Sequence, residues 1–252
     1  MPDESSSLPR MTVLEHLQEL RSCLLRSLIA VFLGFLVCWA MASRLFAFLA
    51  QPAYEALNGG KLAFTGLTDP FMLYMKVAFI AGLFLTSPYI LLQIWNFIAP
   101  GLYPKERRLI VPFVFFTTVF FLAGGYFGYR VVLPLMCDFF ITLGKDFQPV
   151  ITIRDYMGLA TKLLLGMGLI FELPILIFFL ARLGLVTAGF MMRKFKYAFL
   201  GIFIIAAVIT PTPDVVTQTA LAIPMLVLYL LGVLVAALFG SPREKPDEED
   251  QD

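Results

Sequence analysis

Histidine occurs once in this sequence, at His16, and that scarcity removes whole classes of chemistry. His16 lies ahead of the first long hydrophobic run, so neither an intramembrane Ser–His dyad nor a His-ligated metal site can be assembled. The three cysteines, Cys23, Cys38 and Cys137, show no metal or redox spacing and read as small apolar fillers. No alternating strand pattern occurs, so no glycine loop follows a strand to cradle a phosphate. Charge is scarce too, at 15% of residues. These absences leave no catalytic constellation; no enzyme activity, metal, cofactor or nucleic-acid partner is expected.

What fills the space is hydrocarbon. Hydrophobic residues make up 60% of the 252, with 26 Phe, and the mean hydropathy is +0.85. A soluble domain of this size cannot hide so much apolar surface, so the chain is read as an all-α polytopic membrane protein. A hydrocarbon core of about 30 Å takes about 20 apolar residues per helix. Six spans are predicted: 24–43, 71–98, 109–136, 157–181, 197–210 and 216–239. They form one domain over 11–240, flanked by a polar, disordered 1–10 and an acidic tail at 241–252. The polar start and the lack of a small-residue cleavage site predict no cleaved leader.

The charges that remain are sorted by position. Of 19 basic residues, 12 lie in or beside the N-terminus, the even loops or the C-terminus, against 5 in or beside the odd loops. Basic residues collect on the cytoplasmic side, so both termini are predicted inside. The other two, Lys76 and Lys162, lie one to two turns inside the second and fourth spans, where their stems can carry the ammonium back to the outer surface. Ahead of the first span, Val13, Leu17, Leu20 and Leu24 recur at helical spacing opposite Glu15, Glu19, Ser22 and Arg26. This predicts an amphipathic lead-in helix over 11–23. The first outer loop carries Gly59-Gly60 and Asp69-Pro70 and is expected to turn at least twice. The second, 137–156, is expected to cap the outer face with short helices.

Five prolines fall inside four of the six spans: Pro88, Pro112, Pro134, Pro174 and Pro224. Each removes a backbone donor and can bend its helix. The fifth span is exceptional for length: 14 residues separate Lys196 from Pro211, about 21 Å of helix and short of a normal bilayer. The sixth opens on Thr217-Gln218-Thr219 and is interrupted by Pro224, so it too is read as short. Gly124-Gly125 in the third span is read as a close helix-packing point.

Carboxylates are the remaining candidates for chemistry. Glu19 sits at the cytoplasmic end of the first span and Glu106 in the loop "APGLYPKERR", on the same side of the membrane. Each has a plain alternative, as a surface acid paired with a neighbouring base. Glu172 lies mid-span in "LLLGMGLIFELPILIFFL", where a charge costs about 2.5–3.5 kcal/mol on insertion scales. Pro174 cannot donate to the Ile170 carbonyl, which puts a second polar demand a turn away. A neutral Glu172 can both donate and accept, and its partner can be a helix of another subunit or of the same chain.

Four segments, "EHLQELRSCLLRS", "QIWNFIAPGLYPKERRLIVPF", "FELP" and "TPTPDVVTQTALAIPM", resemble the TatC family, the multispanning subunit of the twin-arginine (Sec-independent) protein translocase. They fall in family order over about 11–240. The resemblance implies a bacterial cytoplasmic-membrane receptor. It would bind twin-arginine signal peptides of folded precursors and transport them with single-span TatA and TatB in a multimeric complex, using the protonmotive force. It implies that Glu19, Glu106, Phe97, Pro100 and Arg21 form the signal-peptide site, that Glu172 is an intramembrane polar partner site, and that Asp214 and Pro52 are the family's outer-loop residues. The rival from another class is a proton- or cation-coupled secondary transporter with Glu172 as its ion site. Against it, the two halves carry no internal repeat.

Overall fold

The computed structural model describes residues 13–98, 110–210 and 214–240. The expected disordered N-terminus and acidic tail, and the sites at Pro100 and Glu106, lie outside the described residues. Eleven α-helices occur among the described residues: α1 (Val13–Trp39), α2 (Ala42–Leu49), α3 (Gln51–Ala56), α4 (Asp69–Ile98), α5 (Ile110–Phe127), α6 (Leu133–Leu143), α7 (Ile153–Phe171), α8 (Leu173–Arg182), α9 (Ala188–Arg193), α10 (Phe195–Ile209) and α11 (Val215–Phe239). Among the described residues, five helical stretches are long and apolar enough to cross a membrane, and α10 is a shorter apolar helix. The only β-pairing among the described residues is one parallel bridge, Ala63 to Thr152. Large apolar side chains stand exposed along every long helix, Phe32, Phe116, Leu169 and Val227 among them. That surface is stable only in a hydrocarbon solvent.

The chain forms two compact units: 1–122 with 137–161, and 123–136 with 162–252. In the first, α1 lies antiparallel along α4. The contact depends on two glycines that sequence reading passed over. A Cβ on Gly82 would lie 2.6 Å from the Phe35 nitrogen, and one on Gly34 would lie 2.8 Å from the Gly82 carbonyl oxygen. The two backbones therefore touch, as small residues allow between helices in lipid. Cys38, Ala42 and Ala78 continue this seam as a buried cluster, and Cys38 fills it as a small apolar residue. Trp95 meets Phe113 edge-on at 4.0 Å, tying α4 to α5.

The outer end of this unit is fastened by polar contacts. Asp69, 4% exposed, accepts from Arg154 Nη2 at 2.7 Å and from the Gly66 backbone N–H at 2.7 Å. Ala63 donates to the Ile151 carbonyl and accepts from Ile153, so the first outer loop pairs with the segment before α7. Thr152 begins α7, its Oγ1 accepting from the Asp155 N–H at 3.1 Å. The first loop does turn at Asn58 and Gly59, both at positive φ. Asp69-Pro70, however, opens α4 rather than making a free turn. The second outer segment differs from expectation. Instead of separate short helices, α6 carries the third span on to Leu143, and an extended run leads into α7. Short helices occur in the first loop, as α2 and α3.

The proline expectations resolve individually. Pro134 leaves the Arg130 carbonyl without an i+4 donor, and a π-helical turn over Gly128–Val132 precedes it, with Leu133 N–H donating to Gly128. At Pro174 the fourth span breaks into α7 and α8. Glu172 N–H tightens to the Leu169 carbonyl at 3.1 Å, and Leu176 N–H resumes the ladder on the Glu172 carbonyl at 2.9 Å. Pro88 and Pro224 stay within continuous helices.

In the second unit α10 is 15 residues long, about 22 Å, so the short fifth span stands. The sixth does not share it: α11 runs unbroken for 25 residues, about 37 Å. Its polar opening does not shorten it, because those groups bond the helix end itself. Asp214 accepts from Thr217 N–H at 2.8 Å, and Gln218 Nε2 donates across to the Phe203 carbonyl of α10 at 2.8 Å. Tyr229 donates to the Met191 carbonyl and holds α9 on α11. Gly124 is a close packing point as read. Its partner along the seam is Gly128, one turn on, and both press on the α7 backbone at Met167 and Leu163.

Gly82→Ala should therefore lower the thermal unfolding midpoint of the detergent-solubilised protein, at a cost of about 1–3 kcal/mol from forced overpacking. Gly201→Ala, in α10 with nothing within 4 Å of its Cβ position, should leave the midpoint unchanged or raise it through helix propensity. Equal effects at the two sites would contradict the backbone contact.

Candidate functional site

At the end of the first unit that carries the N-terminus, α1 presents His16 and Glu19 three residues apart, on one helix face. His16 stacks on Phe97 of α4, with ring centroids 4.4 Å apart and planes at 20°. Together with the Gly34–Gly82 contact, this fixes the antiparallel register and sets Glu19 level with the turn between Gln93 and Phe97. Glu19 is half-buried, and its Oε2 is buried with no hydrogen-bond donor among the described residues. Gln93, 5% exposed, repeats the pattern: its Oε1 is buried and accepts nothing among the described residues.

Two helices thus bring two unfilled acceptor oxygens and an aromatic ring to one level. A buried acceptor without a donor costs about 1–3 kcal/mol, more when charged. Such a place stores affinity for a ligand rich in N–H donors. A guanidinium supplies five donors in a planar fork that matches a carboxylate and can lie against an aromatic face. A lysine ammonium has no fork.

The other predicted residues are placed as follows. Arg21 is exposed, two residues from Glu19 and therefore on a different side of α1. Pro52 is buried in the first turn of α3, between Ala50 and Ala53, which are fully buried. Asp214 caps α11, accepting from Thr217 through both carboxylate oxygens. Glu172, in the second unit, stands at the break between α7 and α8, half-buried, with Oε1 buried and no donor among the described residues. Phe171 beside it packs against Phe127, with ring centroids 5.6 Å apart and planes tilted by 39°. No group of three or more metal-ligating side chains occurs among the described residues.

Sequence reading missed Gln93, an uncharged residue in an apolar run. The signal available was its place one helical turn before Phe97, a spacing that puts both on one face of α4. His16, which in the sequence served only to exclude histidine chemistry within the membrane, is the stacking partner of Phe97.

Comparison with known proteins identifies the family. The family model for the Sec-independent protein translocase protein (TatC) matches residues 15–224. The Sec-independent protein translocase protein TatC of Koribacter versatilis is 44% identical over 250 residues, covering 98% of this chain and 92% of its own length. That of Helicobacter pylori strain J99 is 40% identical over 238 residues, with 94% and 93% covered. TatCy of Bacillus subtilis is 36% identical over 245 residues, with 96% and 95% covered. A crystal structure of the twin-arginine translocase receptor TatC superposes with a TM-score of 0.79 at 33% identity, covering 88% of this chain and 98% of the other. With the family model over most of its length, curated relatives aligned end to end and the fold shared with a solved receptor, this chain belongs to the TatC family of multi-pass Sec-independent protein translocase components.

Proposed function

We propose that this protein is the signal-peptide receptor of a twin-arginine translocase in a bacterial cytoplasmic membrane, with both termini in the cytoplasm. The observation that carries the reading is the Oε2 of Glu19, buried with no donor among the described residues and level with the turn between Gln93 and Phe97. One arginine of the signal peptide pairs with Glu19 through two N–H···O contacts. Its twin pairs with Glu106, from the loop that continues α4. Phe97 and Pro100 belong to the same proposed site. Lys105, Arg107 and Arg108 share that loop and compete for the acids, which keeps affinity modest and release possible. Family membership displaces the secondary-transporter reading.

Glu172 has a separate role in this proposal. Its carboxyl stands at a break in the fourth span with an oxygen that has no donor among the described residues. A polar residue on a single-span partner, TatA or TatB, docks there at mid-bilayer depth, at about 0.6–2 kcal/mol per contact. The assembled multimer then moves the folded precursor, driven by the protonmotive force.

Glu19→Ala and Glu106→Ala should each weaken binding of a fluorescent twin-arginine signal peptide by roughly ten- to hundredfold, the range for a charged hydrogen-bonded contact. Lysine or arginine at either position should do worse through like-charge repulsion. Combined with Arg→Lys changes in the peptide, the losses should be non-additive. Full binding in both alanine variants would place the site elsewhere.

At Glu172 the readout is partner crosslinking alongside transport. Glu172→Ala should keep signal-peptide binding and lose partner crosslinks and transport, whereas Glu172→Gln, which keeps a donor and an acceptor, should retain much of both. Transport lost equally in Gln and Ala, with crosslinks intact in both, would mean proton handling instead of docking.

A further inference from the structure

Lys76 lies seven residues into α4 from Asp69, about 10 Å below the outer end of that helix. It is exposed, and no carboxylate pairs with it among the described residues; the ion pair found there is Arg154–Asp69. An ammonium at that depth needs an anion or a route to water.

Two cavities meet at this residue. The outer one, about 360 Å³, is bordered by Asp69, Arg154, Lys76 and Met72. The deeper one, about 470 Å³, is an open apolar groove between α1 and α4, walled by Leu28, Phe32, Phe35, Met75 and Phe79, with Met72 and Lys76 at the junction. The outer cavity holds two cations against one carboxylate, and that carboxylate is already satisfied by Arg154 and the Gly66 N–H. Arg154 gives Asp69 one Nη2 contact while its side chain remains 68% exposed, leaving further guanidinium donors free. One positive charge therefore stays unmatched, above a groove with an almost wholly apolar lining.

We propose that this pair of cavities is a binding site for an anionic glycerophospholipid of the outer leaflet. Its phosphodiester lies between Lys76 and the free edge of Arg154, and one acyl chain runs down the groove along Leu28, Phe32 and Phe79. Charge complementarity selects the lipid. The single surplus cation is neutralised by one phosphate whose headgroup carries no compensating amine, whereas a zwitterionic headgroup would return a positive charge to the cavity. The apolar wall accepts an acyl chain and offers a peptide backbone no hydrogen-bond partner.

The test uses the full chain reconstituted in phosphatidylcholine vesicles containing a trace of phosphatidylglycerol with a photoactivatable diazirine in its acyl chain. After illumination, label should concentrate in peptides containing Leu28–Phe35 and Met72–Phe79. Unlabelled phosphatidylglycerol should compete it away, and phosphatidylcholine should not. Lys76→Gln should reduce groove labelling by about fivefold, in line with the loss of one lysine contact to an anionic lipid, while Lys76→Arg retains it. If Lys76→Gln does not fold, headgroup competition on the native chain and on Lys76→Arg decides the matter. Label spread evenly over the lipid-facing helices, or groove label displaced equally by phosphatidylcholine, would overturn the proposal. So would groove label that disappears only when a single-span partner is co-reconstituted, since the groove would then seat a helix.

Discussion

Hydrocarbon offers no hydrogen bonds, and that single deficiency organises this structure. Every backbone break inside the bilayer must be repaired by the protein, and every buried polar side chain must find its partner there or wait for one. The repairs are visible. A π-turn stands ahead of Pro134, a tightened turn crosses Glu172, and Asp214 and Gln218 bond the polar opening of α11. Against that background, the buried oxygens of Glu19, Gln93 and Glu172 stand out, since none has a donor among the described residues. Thr118 Oγ1 is buried without a partner among the described residues as well; on the proposed function, the oxygens of Glu19, Gln93 and Glu172 are the ones kept for another molecule.

The same deficiency explains how the helices hold together. Lipid tails compete with Leu and Phe for the same contacts, so burial of apolar area does little to drive helix association. Close approach does more, and it is available only where side chains vanish. Gly34 against Gly82, and Gly124 with Gly128 against α7, set the registers from which the candidate site side chains project. The α1–α4 register puts Glu19 level with the turn between Gln93 and Phe97. The short α10 is anchored at its loop end, where Lys194 and Lys196 lie over the Tyr197 ring at 5.4 and 5.2 Å, an arrangement suited to a headgroup boundary.

Much of this was legible from residue order because bilayer physics constrains helices so strongly. Length and hydropathy located all six spans, with helix limits agreeing to a few residues except where α1 absorbs the lead-in helix and α6 runs on to Leu143. The short fifth span was readable from the distance between Lys196 and Pro211. The sixth was misjudged, since Thr217 and Gln218 look like a helix end until their partners, Asp214 and Phe203, are seen. The glycine pair joining α1 to α4 and the ion pair of Asp69 with Arg154 were not legible. Both join residues far apart in sequence, and neither leaves a periodic trace. At the candidate site, Glu19 and Phe97 drew attention through family resemblance, whereas the burial of Gln93 and its missing donor exist only in three dimensions.

The central claim is that twin arginines are held where α1 and α4 meet on the cytoplasmic side. Photoreactive residues at Gln18 and Lys105, beside the two acids, address it directly, with a probe at Lys145 on the opposite side for contrast. A precursor bearing a twin-arginine signal peptide should crosslink at Gln18 and Lys105 and not at Lys145, and replacing both arginines by lysine should abolish the crosslinks. Crosslinks at Lys145 instead, or crosslinks at Gln18 and Lys105 that persist without the arginines, would contradict the account.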